Sequence, residues 1–371
     1  MEARSLSVKT PVFAVRPLAA LRRYVGRWGL IVALLALPVY YAIKDLTTGY
    51  EAGFAHGHLL IHHDLSHIGF NLAVGLANGS VWALIAIGYT LVYGIIELIN
   101  FAHGDVFMIG SFVAVGFSAT TLGLSLGSSV VALVFGLLLT LIVASLVCGS
   151  LNVLIERVAY RPLRNAPKLA PLITAIGFSF ILQQVGLLWK GGAVQSVNDL
   201  TNQGATLFNI SGVPIQRGYV LAVGAMIPLV ILVTGFINNT RMGRAMRATA
   251  QDPEAARLMG INVDRTISLT FLIGGMLAGA AGLVYELYQT NIVYNQGFEA
   301  GLYAFTAAVM GGIGNIRGAV LGGLIIGVIQ AFADSRMSGG EWTEAVVFVY
   351  LILIMVLRPR GLLGEETREA G

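Results

Sequence analysis

Residues 130–154 contain no charged side chain, and several other stretches are almost as apolar. A helix needs about 20 such residues to cross the hydrocarbon core of a bilayer. Inside lipid every backbone N–H and C=O must find its partner within the segment, so runs of this kind are helices. The main runs cover 72–97, 104–122, 130–154, 170–189, 219–237, 267–287 and 343–357. Charged residues make up 11% of the 371, against about 25% in a soluble domain. The fold class is therefore all-α, a polytopic membrane protein with about eight spanning helices once residues 28–43 are counted.

Region 302–333 is different. Gly311-Gly-Ile-Gly-Asn-Ile-Arg-Gly318 interrupts it, so it reads as a pair of short helices joined by a glycine turn, either re-entrant or both spanning. The chain holds 46 glycines. Gly75-x3-Gly79, Gly275-x3-Gly279, Gly318-x3-Gly322 and Gly323-x3-Gly327 offer surfaces for close helix packing. The single Cys148 lies within an apolar run and excludes an intrachain disulfide.

Charge orients the map. Arg4, Lys9, Arg16, Arg22, Arg23 and Arg27 precede the first run and are opposed only by Glu2. Arg157, Arg161, Arg164 and Lys168 follow the third main run, and connection 241–265 carries five arginines. Connection 190–217 has only Lys190 and Arg217 beside Asp199. Cytoplasmic loops collect Lys and Arg, so both termini and 241–265 are expected inside, and 190–217 outside. A net charge of +4 reflects these loops and implies no nucleic-acid partner.

Residues 47–70 form a polar external segment with five of the six histidines. If it is helical, His58/His62 and His63/His67 are i, i+4 pairs, a spacing that can hold a metal ion. The simpler reading is a surface segment with solvated histidines. The domain division that follows is an N-terminal extension over 1–70, a main unit over 71–364 and a tail over 365–371.

Within 241–265, Asp252 suits a helix N-cap, Pro253 the first helical position and Glu254 the positive helix end. Gly260 suits a left-handed stop. The spacing predicts a helix over 253–259, with Ala255, Leu258 and Met259 on one face and Ala256 and Arg257 between them. A second polar stretch, 97–105, interrupts the apolar sequence, with Gly104 able to break the helix and Asp105 to cap the next. Charged groups at membrane depth pair, line a path or sit near an interface. The simpler reading of Asn100, His103 and Asp105 is a tight interhelical turn whose side chains satisfy backbone groups; for lining or shaping a solute path the candidates are Asn78, Glu97, Asn100 and His103.

There is no G-x-x-x-x-G-K-[ST] phosphate loop, no H-E-x-x-H and no nucleophile elbow with triad partners. The chain reads as a transport component, not an enzyme, and no cofactor is implied.

Block 79–111, with Asn100-Phe-Ala-His-Gly-Asp105 in it, resembles the first core spans of LivH-type permeases of branched-chain amino acid ABC transporters. Ile155-Glu-Arg-Val-Ala-Tyr-Arg-Pro-Leu-Arg164, Arg241-Met-Gly-Arg-Ala-Met-Arg247, Gly260-Ile-Asn-Val-Asp-Arg265 and Ala304-Phe-Thr-Ala-Ala-Val-Met-Gly-Gly-Ile-Gly314 follow in the same order, as does Arg358-Pro-Arg-Gly-Leu-Leu-Gly364. The resemblance covers 72–364 and leaves 1–70 unexplained. It implies a permease subunit in the inner membrane lipid bilayer, a second related permease, two cytoplasmic ATPase subunits and an external substrate-binding protein. It also implies that Glu254-Ala255-Ala256…Gly260 is an EAA-type coupling loop. Within the family, urea, short amides or other amino acids are alternative cargoes. Outside it, a stand-alone secondary transporter or channel is the rival.

Overall fold

The computed structural model describes residues 29–364, except 56–57, 63–64, 165, 168, 197–198, 211, 290 and 337–339. The basic residues 1–27, His63 and the tail 365–371 lie outside the described residues. Leu30–Thr47 (α1) is helical through Pro38. Tyr50–Ala55 (β1) and His58–His62 (β2) then pair as an antiparallel hairpin. This differs from the helical reading of the histidine-rich segment. Gly53 and Gly57 both disfavour a helix there. At about 3.3 Å per residue, His58 and His62 stand about 13 Å apart along their strand, too far to share one ion. His67 falls instead in the first turn of the next helix.

That helix, Ser66–Ile96 (α2), is followed by His103–Val115 (α3), which continues in wider turns to Thr121. Val130–Ile155 (α4) extends through Leu163, and Leu169–Lys190 (α5) follows. Strands Gln195–Ser196 (β3), Thr206–Ile210 (β4) and Val213–Gln216 (β5) occupy the next connection. Arg217–Asn239 (α6), Arg241–Gln251 (α7), Pro253–Leu258 (α8) and Val263–Glu286 (α9) come next. After Asn291–Ile292 (β6), which pairs with β3, the chain ends in Gln296–Gly311 (α10), Ile316–Arg336 (α11) and Thr343–Leu357 (α12).

Seven of the described helices are long and apolar enough to cross a membrane: α2, extended α3, extended α4, α5, α6, α9 and α11. The apolar α12, at 15 residues, is shorter. At 16 residues, α10 is about 24 Å long, less than the roughly 30 Å hydrocarbon thickness. Glycines Gly312 and Gly314, at φ +102° and +94°, turn it into α11. The glycine-broken pair is thus a short helix followed by a full-length one.

Two helices form the centre. The most apolar stretch of α2 is 83% buried, against 17% for that of α4. α2 packs most extensively on α11, and α9 packs on α4, α2 and α3. Glycine makes the first contact possible. A Cβ on Gly79 would stand 2.7 Å from Leu324 Cα, and one on Gly323 2.5 Å from Ala83 Cα. Without those side chains the two backbones touch, which strengthens dispersion contact where lipid gives no hydrophobic drive. α4, α5 and α6 instead show Phe135, Ile173, Ile231 and similar side chains at the surface.

One end of the bundle gathers the arginine-rich connections. Glu156, fully buried, is paired by Arg164 and accepts from Ser268 Oγ at 2.7 Å. Arg164 also pairs Asp264, which Arg161 reaches at 3.2 Å. Tyr160 Oη donates to the Ile99 carbonyl at 3.0 Å. At the same end the closing segment folds back on the α10–α11 turn. Leu362 N donates to Met310 O at 2.7 Å and Leu363 N to Gly311 O at 2.9 Å. The 302–333 turn and the C-terminal segment therefore lie at one end.

Candidate functional site

Helix α8 forms for local reasons. Asp252 Oδ1 accepts from the Glu254 and Ala255 N–H groups, both at 2.9 Å. Gly260, at φ +82°, closes the helix in a Schellman turn, with Gly260 N to Arg257 O and Ile261 N to Ala256 O, both 3.0 Å. The helix ends at Leu258, with Met259 as its C-cap. Its apolar face does not pack on this chain. Leu258 is 89% exposed and Met259 82%, while Ala256 alone is buried.

Before it stands α7, which sequence reasoning did not resolve as a helix. Thr240 caps it by accepting from Gly243 N at 3.0 Å. A side chain on Gly243 would run into the Ile237 carbonyl, which Arg247 bonds. Arg247 therefore anchors the exit of α6. Arg241 instead borders an open groove of about 260 Å³ with Asn262 and Arg265.

Turn 97–105 has a structural geometry. Glu97, exposed and at φ +51°, ends α2. Asn100 Nδ2 donates to Asn152 Oδ1 at 3.1 Å, and Asn152 Nδ2 to Phe271 O at 2.7 Å, which ties the α2–α3 turn to α4 and α9. The His103 ring meets Tyr89 edge-on at 4.9 Å in space left by Gly88. The expected break at Gly104 and cap at Asp105 do not occur, because α3 already begins at His103. Gly104 instead lets α3 touch the α10 backbone, and Asp105 accepts from Ser179 Oγ at 2.5 Å.

Asn78 lies elsewhere. It lines a cavity of about 80 Å³ at the far end of α9 from Asp264. α2 contributes Asn78 and Trp82, and the end of α9 contributes Tyr285, with Tyr288 and Gln289 just beyond it. α10 presents Gln296, Glu299 and Tyr303 on one face, and α11 adds Gln330. Trp82 Nε1 donates to Gln330 Oε1 at 2.6 Å and its ring meets Tyr303 at 5.4 Å. Gln296 Oε1 accepts from Val293 N at 3.2 Å. Gln296 Nε2 and Asn78 Oδ1 are buried with no protein partner. Of the four candidate path residues, only Asn78 reaches this cavity; Glu97, Asn100 and His103 stay together in the α2–α3 turn. The 296, 299, 303 spacing on α10 was the signal that could have found the rest.

A helical membrane bundle with a polar cavity at one end and a capped, uncovered helix at the other defines a polytopic permease. The family described as the permease component of branched-chain amino acid transport systems matches residues 71–356. The high-affinity branched-chain amino acid permease protein BraD of Pseudomonas aeruginosa is 42% identical over 309 residues, 82% of this chain and 99% of BraD. LivH of Escherichia coli K12 is 42% identical over 301 residues, 80% of this chain and 95% of LivH. The fructose import permease protein FrcC of Rhizobium meliloti is 27% identical over 199 residues, covering 51% of this chain and 55% of FrcC. The chain belongs to the family of branched-chain amino acid transport permease components.

Proposed function

We propose that this protein is the permease subunit of an inner-membrane ABC importer for leucine, isoleucine and valine. The observation that carries the reading is the near-full-length likeness to BraD and LivH, both described as high-affinity branched-chain amino acid permeases. The chain works beside a second related permease, two cytoplasmic ATPases and an external binding protein. The permease domain is 71–364, and 1–70 is an extension with its own span. Both termini and 241–265 face the cytoplasm, in keeping with the arginine-rich end of the bundle.

Residues 252–260 are the coupling segment. Two observations support this role: the helix is rigidly capped at both ends, and Leu258 and Met259 point away from the chain that carries them. ATP-driven movement of the ATPase is transmitted through this helix, and the path opens alternately to each side. The assembled five-component system in proteoliposomes is expected to take up leucine only with ATP inside and binding protein outside. Ion-gradient-driven uptake by this chain alone would overturn the reading.

A further inference from the structure

The cavity at the end opposite the arginines has a chemistry that the permease reading does not by itself require. Among the described residues its one acidic side chain is Glu299, and no Lys, Arg or His lines it. Glu299 acts electrostatically on Tyr285 and Tyr303, and the carboxylates of Glu344 and Asp334 act on Glu299 in turn. Three carboxyl groups, Glu299, Asp334 and Glu344, therefore gather near the opening. Farther in, Asn78 is 5% exposed with an unbonded acceptor, and Gln296 is 7% exposed with an unbonded donor. A buried amide without a partner is unfavourable, so a bound group that satisfies both is stabilised there. Trp82, Tyr285 and Tyr303 supply aromatic faces that attract a cation within about 6 Å.

We infer that this cavity is a binding site for the α-ammonium end of a zwitterionic amino acid. Glu299 and Asn78 Oδ1 receive the ammonium, and Gln296 Nε2 is the donor offered to the carboxylate. A neutral sugar could use the amides but would gain nothing from Glu299, and an anion would be repelled by it. The inference rests on the amino-acid permease reading and adds to it that this subunit itself selects for the ammonium group.

The test measures retention of radiolabelled leucine by the purified permease–ATPase complex without binding protein, with competitors. Leucinamide, which keeps the ammonium, is expected to compete, and 4-methylpentanoate, which lacks it, is not. E299Q is expected to weaken leucine retention about tenfold, with E299D largely restoring it. If E299Q fails to assemble, N78L carries the same comparison. Equal competition by 4-methylpentanoate, unchanged retention in the variant, or no retention by wild type overturns the inference. Failure of the complete wild-type system to import any branched-chain amino acid overturns the functional reading as well. Normal import with unaltered E299Q retention overturns the inference alone.

Discussion

Arg164 grips Asp264 with one guanidinium nitrogen and the buried Glu156 with another. One side chain thereby ties the extension of α4 to the first turn of α9, immediately after the α8 stop at Gly260. The two halves of this bridge differ in weight. Glu156 has no exposed side-chain surface, whereas Asp264 is 46% exposed.

R164Q leaves a buried carboxylate without its cation and is expected to destabilise the protein by about 3 kcal/mol. D264N removes only a screened surface pair and is expected to lose about 0.5 kcal/mol or less. Thermal unfolding in detergent ranks them. Equal losses would show that the two pairs carry the same weight.

L258E is expected to leave the melting temperature close to wild type, since Leu258 touches little of its own chain. It should abolish binding-protein-stimulated ATP hydrolysis in the assembled system. D252A removes the acceptor of two backbone N–H groups and should loosen α8 by about 1 kcal/mol, giving partial uncoupling. Full stimulation in L258E would remove this helix from the coupling path.

G323V forces a branched side chain onto the α2 backbone at Ala83 and is expected to destabilise the bundle by about 1–3 kcal/mol or more. G177V is the control, because a Cβ there meets open space. Size-exclusion profiles after mild heating separate them. Matching profiles would mean that the α2–α11 contact relaxes freely.

The helix α8 was legible because its signals are local: Asp252, Pro253 and Glu254 at one end, Gly260 at the other. The spans were legible for the same reason, since each satisfies its own backbone. The cavity was not. Asn78, Tyr285, Glu299 and Gln330 come from four helices, and no local pattern says which faces converge. Asn100 and His103 looked like path residues because they are polar within apolar sequence. In the fold that polarity is used to tie the α2–α3 turn to α4 and to fill the space beside Gly88. The histidine-rich segment misled for a different reason: i, i+4 spacing means proximity only in a helix, and His58 and His62 lie on a strand.

N152A removes the acceptor of Asn100 and the donor to Phe271 at once. It is expected to destabilise by about 1–3 kcal/mol, because the partners are buried. N152D keeps the shape but sets a buried carboxylate against the Phe271 carbonyl, so it should lose at least as much as N152A. Chemical-denaturation midpoints of the three proteins check the order, and an N152A midpoint at the wild-type value would contradict it.

The backbone bonds from Leu362 and Leu363 to the end of α10 have a consequence for biosynthesis. These residues complete a turn laid down some fifty positions earlier in the sequence. A nascent chain that stops short leaves the carbonyls of Met310 and Gly311 without these partners at a helix end. Segment 362–363 thus fastens the α10–α11 turn from outside the two helices that make it.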